Sequence, residues 1–466
     1  MRKLILSLAA TPLILGSIAV SAQAADDVAT GATADSGFNI FSDVKFKGEL
    51  RTRYQFKDIK DNGKVGGNTI TNRSNLNFSA KLFEVDGFNG TMELNAVNDF
   101  GSQQQTNIDQ SAERVGAKIS QANISYTAGG VTGIAGRKTV NLDNQRFIGS
   151  VGWKQNFQTF DLAAIAYGIG DFSILGAYVY GVNAIGDEGH NYGHNTNADK
   201  YAGGVKSGRT NSALLNASYK IMDPIKLTGY AYLLGSASDT FGLAATGKIA
   251  ASDSIKLNYR AEFAMQQKAS LQTFADGVVN PAPSGHENSV YGDATYYNLD
   301  LGANFSGILA GLNYEYLSGV SLTADATTSK TAFQTPLATK HKFNGWADQF
   351  LGTPNGGLQD FNARLGYKSA GFGKLIGVYH MFSSAEDMNA AGVDAGTATG
   401  TSSDLGSEID VAYSNKIPGV NGLTGLLKGA FYMGGDTEQG TGVKVKTWKN
   451  DQTMVWVQLD YKFATK

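Results

Sequence analysis

Residues 45–56 read KFKGELRTRYQF, with charged and apolar side chains in alternation. The odd positions carry four Lys or Arg side chains, one Glu and one Gln. The even positions carry Phe, Leu, Tyr and Phe, with only Gly and Thr between them. Successive side chains of an extended chain point to opposite faces. The stretch therefore predicts a β-strand with one apolar face and one densely charged face.

The same period of two recurs along the chain, as in residues 255–267, where Leu257, Tyr259, Ala261 and Phe263 alternate with polar neighbours. Runs of this kind, bounded by Gly, Asn, Asp and Ser, are typical of β-strands. We predict eighteen strands, at residues 44–56, 71–83, 89–100, 117–128, 131–141, 155–168, 172–182, 213–222, 225–234, 239–250, 255–267, 294–306, 309–319, 360–369, 373–384, 406–415, 424–434 and 452–463.

The links between these strands alternate between short and long. Links after even-numbered strands are tight, whereas those after odd-numbered strands are mostly long, with a clear exception at 235–238. Short periplasmic turns and long outer loops are the layout of bacterial outer-membrane barrels. The sequence therefore predicts an all-β fold. We expect a transmembrane antiparallel up-and-down β-barrel of about eighteen strands, with short periplasmic turns, long extracellular loops and both termini in the periplasm.

A barrel in lipid explains why each strand has one charged face and one apolar face. Backbone groups in hydrocarbon have no water to bond, so the sheet must close on itself. Its apolar face then contacts lipid, and its polar face lines a wet interior. Because eighteen strands enclose more space than side chains fill, we expect an aqueous channel unless loops plug it.

The N-terminus predicts export. A basic start, an apolar run and the Ala22–Ala24 cleavage pattern are typical of a secretory signal peptide. We predict a signal peptide at 1–24, a short periplasmic segment at 25–43 and the barrel at 44–466. The location is then the bacterial outer membrane, where the barrel contacts lipid and lipopolysaccharide.

Composition excludes several classes of function. Removing residues 1–24 removes Arg2 and Lys3 from the 39 basic residues and none of the 41 acidic ones, so the formal net charge changes from −2 to −4. This balance does not indicate nucleic-acid binding. The absence of Cys excludes disulfides and thiolate metal sites. His190 and His194 have metal-like spacing but lie in a Gly- and Asn-rich stretch that predicts a solvated loop. We expect no enzyme activity, no cofactor and no metal.

Charged side chains on the polar parity of the strands, with others at a strand end and in the next loop, are the candidate functional residues. Rings of Arg and Lys select anions in pores, and a narrow aqueous channel strengthens their field. If the acidic residues pair with them, the result is instead a transverse field with weak selectivity. The predicted pore-lining residues are Lys47, Glu49, Arg51, Arg53, Arg73, Lys81, Glu93, Arg137, Arg146, Lys154, Arg260, Glu262 and Arg364.

Two stretches, GRKTVNLDNQRFIGSVGWKQNFQTFD at 136–161 and KHKFNGWADQFLGTPNGGLQDF at 340–361, resemble segments of the bacterial alginate-export family of outer-membrane porins. The resemblance implies an eighteen-stranded barrel with a basic lumen. Lys138 and Lys154 stand where that family often has Gln and Arg. Residues of matching type are Arg137, Asp143, Arg146, Trp153 and Gln155 in the first stretch, and His341, Asn344, Gly345, Trp346, Asp348 and Phe350 in the second.

These observations favour a porin for passive diffusion of small hydrophilic solutes, with anions as the leading class. The alternatives are an exporter of an anionic, alginate-like polysaccharide and a surface-binding or adhesive barrel. Residues 320–359 form the longest predicted loop, which we expect to act as a lid or constriction through the motif residues His341, Asn344, Trp346 and Asp348. We expect a monomer, with a trimer as the alternative.

Overall fold

The computed structural model is an eighteen-stranded sheet in which consecutive strands are antiparallel neighbours. The structure describes residues 39–60, 66–100, 115–185, 208–235, 237–267, 293–320, 332–389, 401–439 and 443–465, together with residue 270 and the pairs 274–275 and 278–279. The predicted signal peptide and His190 and His194 lie outside the described residues.

The eighteen strands lie close to their predicted positions. β1 covers Phe41–Ile59, β2 Gly67–Leu82, β3 Phe88–Asp99, β4 Gly116–Ala128, β5 Val131–Lys138, β6 Thr159–Ile169, β7 Phe172–Asn183, β8 Gly208–Met222, β9 Ile225–Leu234, β10 Ser238–Ala250, β11 Ile255–Gln267, β12 Ala294–Phe305, β13 Ile308–Leu317, β14 Leu358–Ser369, β15 Gly373–Asn389, β16 Thr401–Lys416, β17 Leu423–Met433 and β18 Gln452–Ala464. Two short strand pairs lie outside this sheet, Phe274–Ala275 with Val278–Val279 and Asp436–Gln439 with Val443–Lys446.

The sheet closes because β1 pairs with β2 on one side and with β18 on the other. Arg51 lies opposite Arg73 in the first pairing and opposite Asp460 in the second. A closed barrel leaves no unpaired edge. Turns of a few residues follow the even-numbered strands, and longer links follow the odd-numbered ones, apart from the short link at 235–237. The predicted all-β, up-and-down barrel is therefore confirmed.

The two faces of the barrel wall differ in composition and exposure. Large apolar side chains on the outer face are exposed, with Leu365 at 66 % and Ile165 at 63 %. Arg53 and Arg73, on the opposite face, are only 2 % and 1 % exposed. Arginine is rarely buried to this extent without partners, so segments of the chain must fill part of the lumen.

Two long links fold into the lumen and supply those partners. The first inserted loop, residues 139–158, joins β5 to β6, and the second inserted loop, residues 332–357, precedes β14 and contains the 3₁₀ turn Lys340–Lys342. Phe147 of the first loop packs at ring-centroid distances of 5.3 Å from Tyr296 of the wall and 6.0 Å from Phe333 of the second loop. The loops therefore pack against each other and against the wall.

Several strand boundaries differ from the sequence prediction, by up to five residues. β1 begins at Phe41, before the predicted start at residue 44. β5 ends at Lys138 and β6 begins at Thr159, which is a shorter pair than predicted. The cause is the first inserted loop, because residues 139–158 leave the sheet to enter the lumen. No helix among the described residues is long and apolar enough to cross a membrane.

Candidate functional site

Three arginines of the wall hold the first inserted loop by consecutive backbone carbonyl groups. Arg51 Nη1 donates to the carbonyl of residue 152 at 3.0 Å, Arg53 Nη2 to that of residue 153 at 2.6 Å, and Arg73 Nη1 to that of residue 154 at 3.0 Å. β1 carries the first two arginines at alternate positions, and β2 presents the third opposite Arg51. The predicted basic row on β1 and β2 is thus an anchor for this loop.

Acidic side chains neutralise most of this basic row. Arg51 bonds Asp460 Oδ1 at 2.7 Å and Glu49 Oε1 at 3.0 Å, and Arg73 shares Glu49 at 2.9 Å. Arg53 lies over the Trp153 ring at 4.0 Å and donates to Gln458 at 2.8 Å. Ion pairing of this kind is the alternative that predicts weak ion selectivity rather than a strongly cationic lumen.

Arg146 joins the two inserted loops to the wall. Its guanidinium makes a two-pronged ion pair with Glu315 of β13, at 2.6 and 3.1 Å, and donates to Asn344 Oδ1 of the second loop at 3.0 Å. Asn344 also donates to Glu315 Oε2 at 2.6 Å. Although burial opposes the charge, Glu315 raises the pKa of Arg146 above its ordinary value. This triangle fixes the relative position of both loops.

His341 occupies the centre of a second cluster. Its Nδ1 lies 2.7 Å from Asp348 Oδ1, its Nε2 lies 2.7 Å from Lys428 Nζ, and its ring stacks on Trp153 at 4.6 Å. Burial lowers the pKa of His341 to about 3. The ring is therefore neutral at pH 7, and Nδ1–H donates to Asp348 while Nε2 accepts from Lys428. Lys154 of the first loop reaches the other Asp348 oxygen at 3.5 Å.

Lys428 of β17 enters a cage of indole rings. Its Nζ lies 4.1 Å from the Trp153 centroid, 3.9 Å from that of Trp346 and 5.3 Å from that of Trp456. A desolvated ammonium gains about 2 kcal/mol or more from such contacts. Because the three rings belong to the first loop, the second loop and the wall, the cage joins all three.

The 3₁₀ turn of the second loop lies in a positive region. Burial and the nearby charge of Arg146 lower the pKa of Lys340 to about 8. Lys342 donates to the carbonyl of residue 144 at 2.8 Å. The sequence prediction assigned only His341 of this turn to the site, yet Lys342 also binds the first loop.

Three more predicted pore-lining residues form separate ion pairs along the wall. Arg364 bonds both oxygens of Asp300, at 2.6 and 2.7 Å. Arg260 bonds Glu262 at 2.8 Å and also Asp143 of the first loop. Each cation on this part of the wall therefore has a carboxylate beside it.

Four further predicted residues lie away from these clusters. Arg137, at the end of β5, pairs with Asp161 at 2.7 and 3.0 Å. Glu93 accepts from Ser120 at 2.7 Å. Lys81 pairs with Asp86 at the turn after β2, and Lys47 is exposed.

Sequence reasoning missed several wall residues that bind the second loop. Asp410 Oδ2 accepts from the backbone N–H of Trp346 at 3.1 Å, and Glu408 Oε1 accepts from that of Ala347 at 2.7 Å. Parity could have found both acids, because they alternate with the apolar Ile409. What parity does not give is the identity of the loop atoms they bind.

Comparisons with known proteins agree with the barrel architecture. No protein-family model matches the chain, and no curated protein is significantly similar to it. Pseudomonas aeruginosa OpdQ is 15 % identical, with a TM-score of 0.61 over 91 % of this chain and 100 % of that one. Acinetobacter baumannii OccAB3 is 14 % identical, with a TM-score of 0.63 over 91 % and 100 %. Pseudomonas aeruginosa OccK9 (OpdG) is 12 % identical, with a TM-score of 0.64 over 92 % and 100 %.

The shared feature is the fold. Structural similarity at such low sequence identity establishes the barrel fold only, and not a substrate or a selectivity. The alginate-export resemblance of residues 136–161 and 340–361 receives no support from these comparisons. In the structure, both stretches form most of the inserted loops and their junctions with the wall.

Proposed function

We propose that the protein is an outer-membrane porin that lets small hydrophilic solutes diffuse passively across the membrane. The observation that carries the proposal is the inversion of the two faces of a closed eighteen-stranded wall. An apolar outer face suits lipid, and a polar inner face suits water. Two loops anchored inside the lumen supply a constriction, as porin loops do when they limit solute size.

We propose small anions as the leading solute class, with weak selectivity. Basic residues are prominent on the lumen face, which supports attraction of anions. Their acidic neighbours reduce the net charge, because the closest contact of nearly every predicted cation is a carboxylate. A transverse field across a constriction orients a polar solute without strongly excluding either sign of charge.

The proposal includes the membrane context and assembly expected from the sequence. Export through a cleaved signal peptide at 1–24, a periplasmic segment at 25–43, contact with lipopolysaccharide and a monomeric state all belong to it. One chain forms the closed wall and both inserted loops, so a single copy can provide a complete channel. This supports the monomeric state. A trimer of such barrels is the alternative assembly. The absence of an enzymatic role is likewise part of the proposal.

No observation favours the two alternative functions. A polysaccharide exporter needs a wide path for a polymer, whereas Arg146 and the Lys428 cage fasten two loops across the lumen. An adhesive barrel would act through its outer loops, and the inserted loops instead point inward. We therefore retain the porin.

Planar-bilayer recording of the purified protein tests the proposal. Under a KCl gradient, the porin should conduct with a reversal potential close to zero and slightly on the anion-selective side. Correct folding is checked on the same sample by its β-sheet circular dichroism and by heat-dependent gel mobility. A folded barrel that inserts but does not conduct overturns the porin. Block by oligo-uronates without block by neutral sugars would favour the exporter.

A further inference from the structure

Two acidic side chains of β16 hold the second inserted loop by consecutive backbone amides. Glu408 and Asp410 point to the same face of the strand and accept from residues 347 and 346 respectively. Gly345 precedes these amides with φ 82°, and a Cβ there would lie 2.5 Å from a Glu408 carboxyl oxygen. A left-handed glycine thus lets the loop backbone approach the carboxyl group closely. The contact is a docking point for residues 345–347.

The two carboxyl groups are fully buried and incompletely bonded. Both residues have 0 % exposure, and Glu408 Oε2 and Asp410 Oδ1 accept no hydrogen bond from the described residues. Glu408 and Asp410 lie two residues apart on β16, so their carboxyl groups are neighbours on one face of the strand. Two neighbouring buried carboxylates repel each other, and burial penalises each charge further. The arrangement therefore favours a proton on one of the two groups.

Charge balance around the pair leads to the same conclusion. Arg146 is matched by Glu315, and His380 Nδ1 bonds Asp360 at 2.9 Å while its Nε2 lies 3.6 Å from Asp410. Of the cations nearest the pair, His380 already bonds Asp360, so Lys428 is the one left to offset Glu408 and Asp410. One proton on the pair lowers the repulsion that remains. The ionisable groups that face the pair are Asp360 of β14, His380 of β15, Lys428 and Tyr432 of β17, Glu315 of β13 and, beyond Lys428, His341, Asp348 and Lys154 of the loops.

We propose that Glu408 and Asp410 form a proton-operated latch. While the pair holds one shared proton, residues 345–347 stay docked on the wall. When the loop opens, water reaches the pair, the proton leaves to solvent and both groups ionise as ordinary carboxylates. The docked state therefore binds one more proton than the open state, and rising pH favours opening. One proton released per opening changes the opening equilibrium by up to about tenfold per pH unit.

In the proposed porin, the latch makes the opening of the constriction depend on pH. This functional consequence rests on the proposed porin function. Hydrogen–deuterium exchange of peptides that contain residues 345–347 tests the latch without requiring ion conductance. The protection factor, corrected for the intrinsic exchange rate, should fall by up to about tenfold per pH unit between about pH 6 and about pH 9 in the wild type. In Glu408→Gln, whose amide mimics the protonated acid, it should stay constant.

The control is Glu93→Gln, which alters another buried acid of the wall, outside the latch. This variant should keep the wild-type slope. If Glu408→Gln does not fold, Asp410→Asn replaces it, because an amide at either position removes the titratable pair. The latch is overturned if the amide variant keeps the wild-type slope, or if wild-type protection does not change with pH. Absence of conductance in folded wild-type protein would overturn the porin and leave the exchange result valid.

Discussion

The outer face of the barrel and its lumen face invert the usual relation between polarity and burial. Leu365 is 66 % exposed, whereas Arg53 and Arg73 are almost fully buried. Both faces are built from the same strands, and adjacent residues such as Arg364 and Leu365 belong to opposite faces. The difference is the one expected if the proposed surroundings, lipid outside and loops with water inside, set which residues each strand can carry.

The lumen is also unlike a simple row of solvated charges. Arg51, Arg53 and Arg73 grip the backbone of the first inserted loop, so their role is structural as well as electrostatic. Their replacement by Gln would loosen the first inserted loop, and any change in anion preference would include that effect. Lumen charges that touch a loop therefore differ from those that do not.

Removing the charge of Arg146, which joins both inserted loops to the wall, should cause the largest loss of stability. Arg146→Ala leaves Glu315 buried without its partner, which costs about 3–5 kcal/mol. We expect the inserted loops to become sensitive to protease while the barrel remains folded. Limited proteolysis followed by mass spectrometry measures this. Uncleaved loops at 139–158 and 332–357 would contradict the assigned junction.

A charge placed on the outer face should cause the second-largest loss of stability. Leu365→Arg puts a cation on the predicted lipid face and should destabilise the folded barrel by about 2–4 kcal/mol near the midplane. Denaturant titration in lipid vesicles measures the loss, with Leu365→Met as the apolar control. A stability equal to that of the control would mean that this face does not contact lipid.

Acid should lower the stability of the folded protein by protonating His341, and this loss should be smaller than the two above. Burial lowers the pKa of His341 to about 3 from 6.5, so the unfolded chain binds more protons in that interval. Stability then falls as pH falls below about 6.5, by up to about 2 kcal/mol at pH 5. Unfolding of wild type and His341→Gln is compared at pH 7 and pH 5. Equal acid sensitivity in both proteins would place the cause elsewhere.

Breaking a partly exposed ion pair of the wall should cause the smallest loss of stability. Arg364 and Asp300 have side-chain exposures of 24 % and 23 %, and pairs of this kind contribute about 1 kcal/mol or less. Arg364→Gln should change unfolding by no more than that amount and should shift the reversal potential slightly away from anions. A loss as large as that of Leu365→Arg would contradict the assignment of opposite faces.

The strands were predictable because their signal is local. Alternation along 45–56 and 255–267 depends only on neighbouring residues, and it indicates which side of the wall each residue occupies. Parity could equally have identified Glu408 and Asp410 on the lumen face. The longest loop could be singled out because its length and its Trp and His residues are visible in the sequence; its role as a constriction stays a prediction.

The loop contacts were not predictable because they join distant parts of the chain. Nothing in the sequence near Arg53 indicates that it binds the carbonyl of residue 153, and nothing near Lys428 indicates the Trp153 and Trp346 rings. The entry of residues 139–158 into the lumen was missed for the same reason. Its first residues continue the alternation of β5, so the strand was predicted to run on to residue 141.

Cysteine labelling at two adjacent positions tests the orientation of the wall most directly, since the native chain contains no Cys. Arg364→Cys and Leu365→Cys are prepared in lipid vesicles and treated with a charged, membrane-impermeant thiol reagent and with an apolar reagent dissolved in the bilayer. The inverted barrel predicts that position 364 reacts with the charged reagent and position 365 with the apolar one. The opposite pattern, or reaction of both positions with the charged reagent, would contradict it.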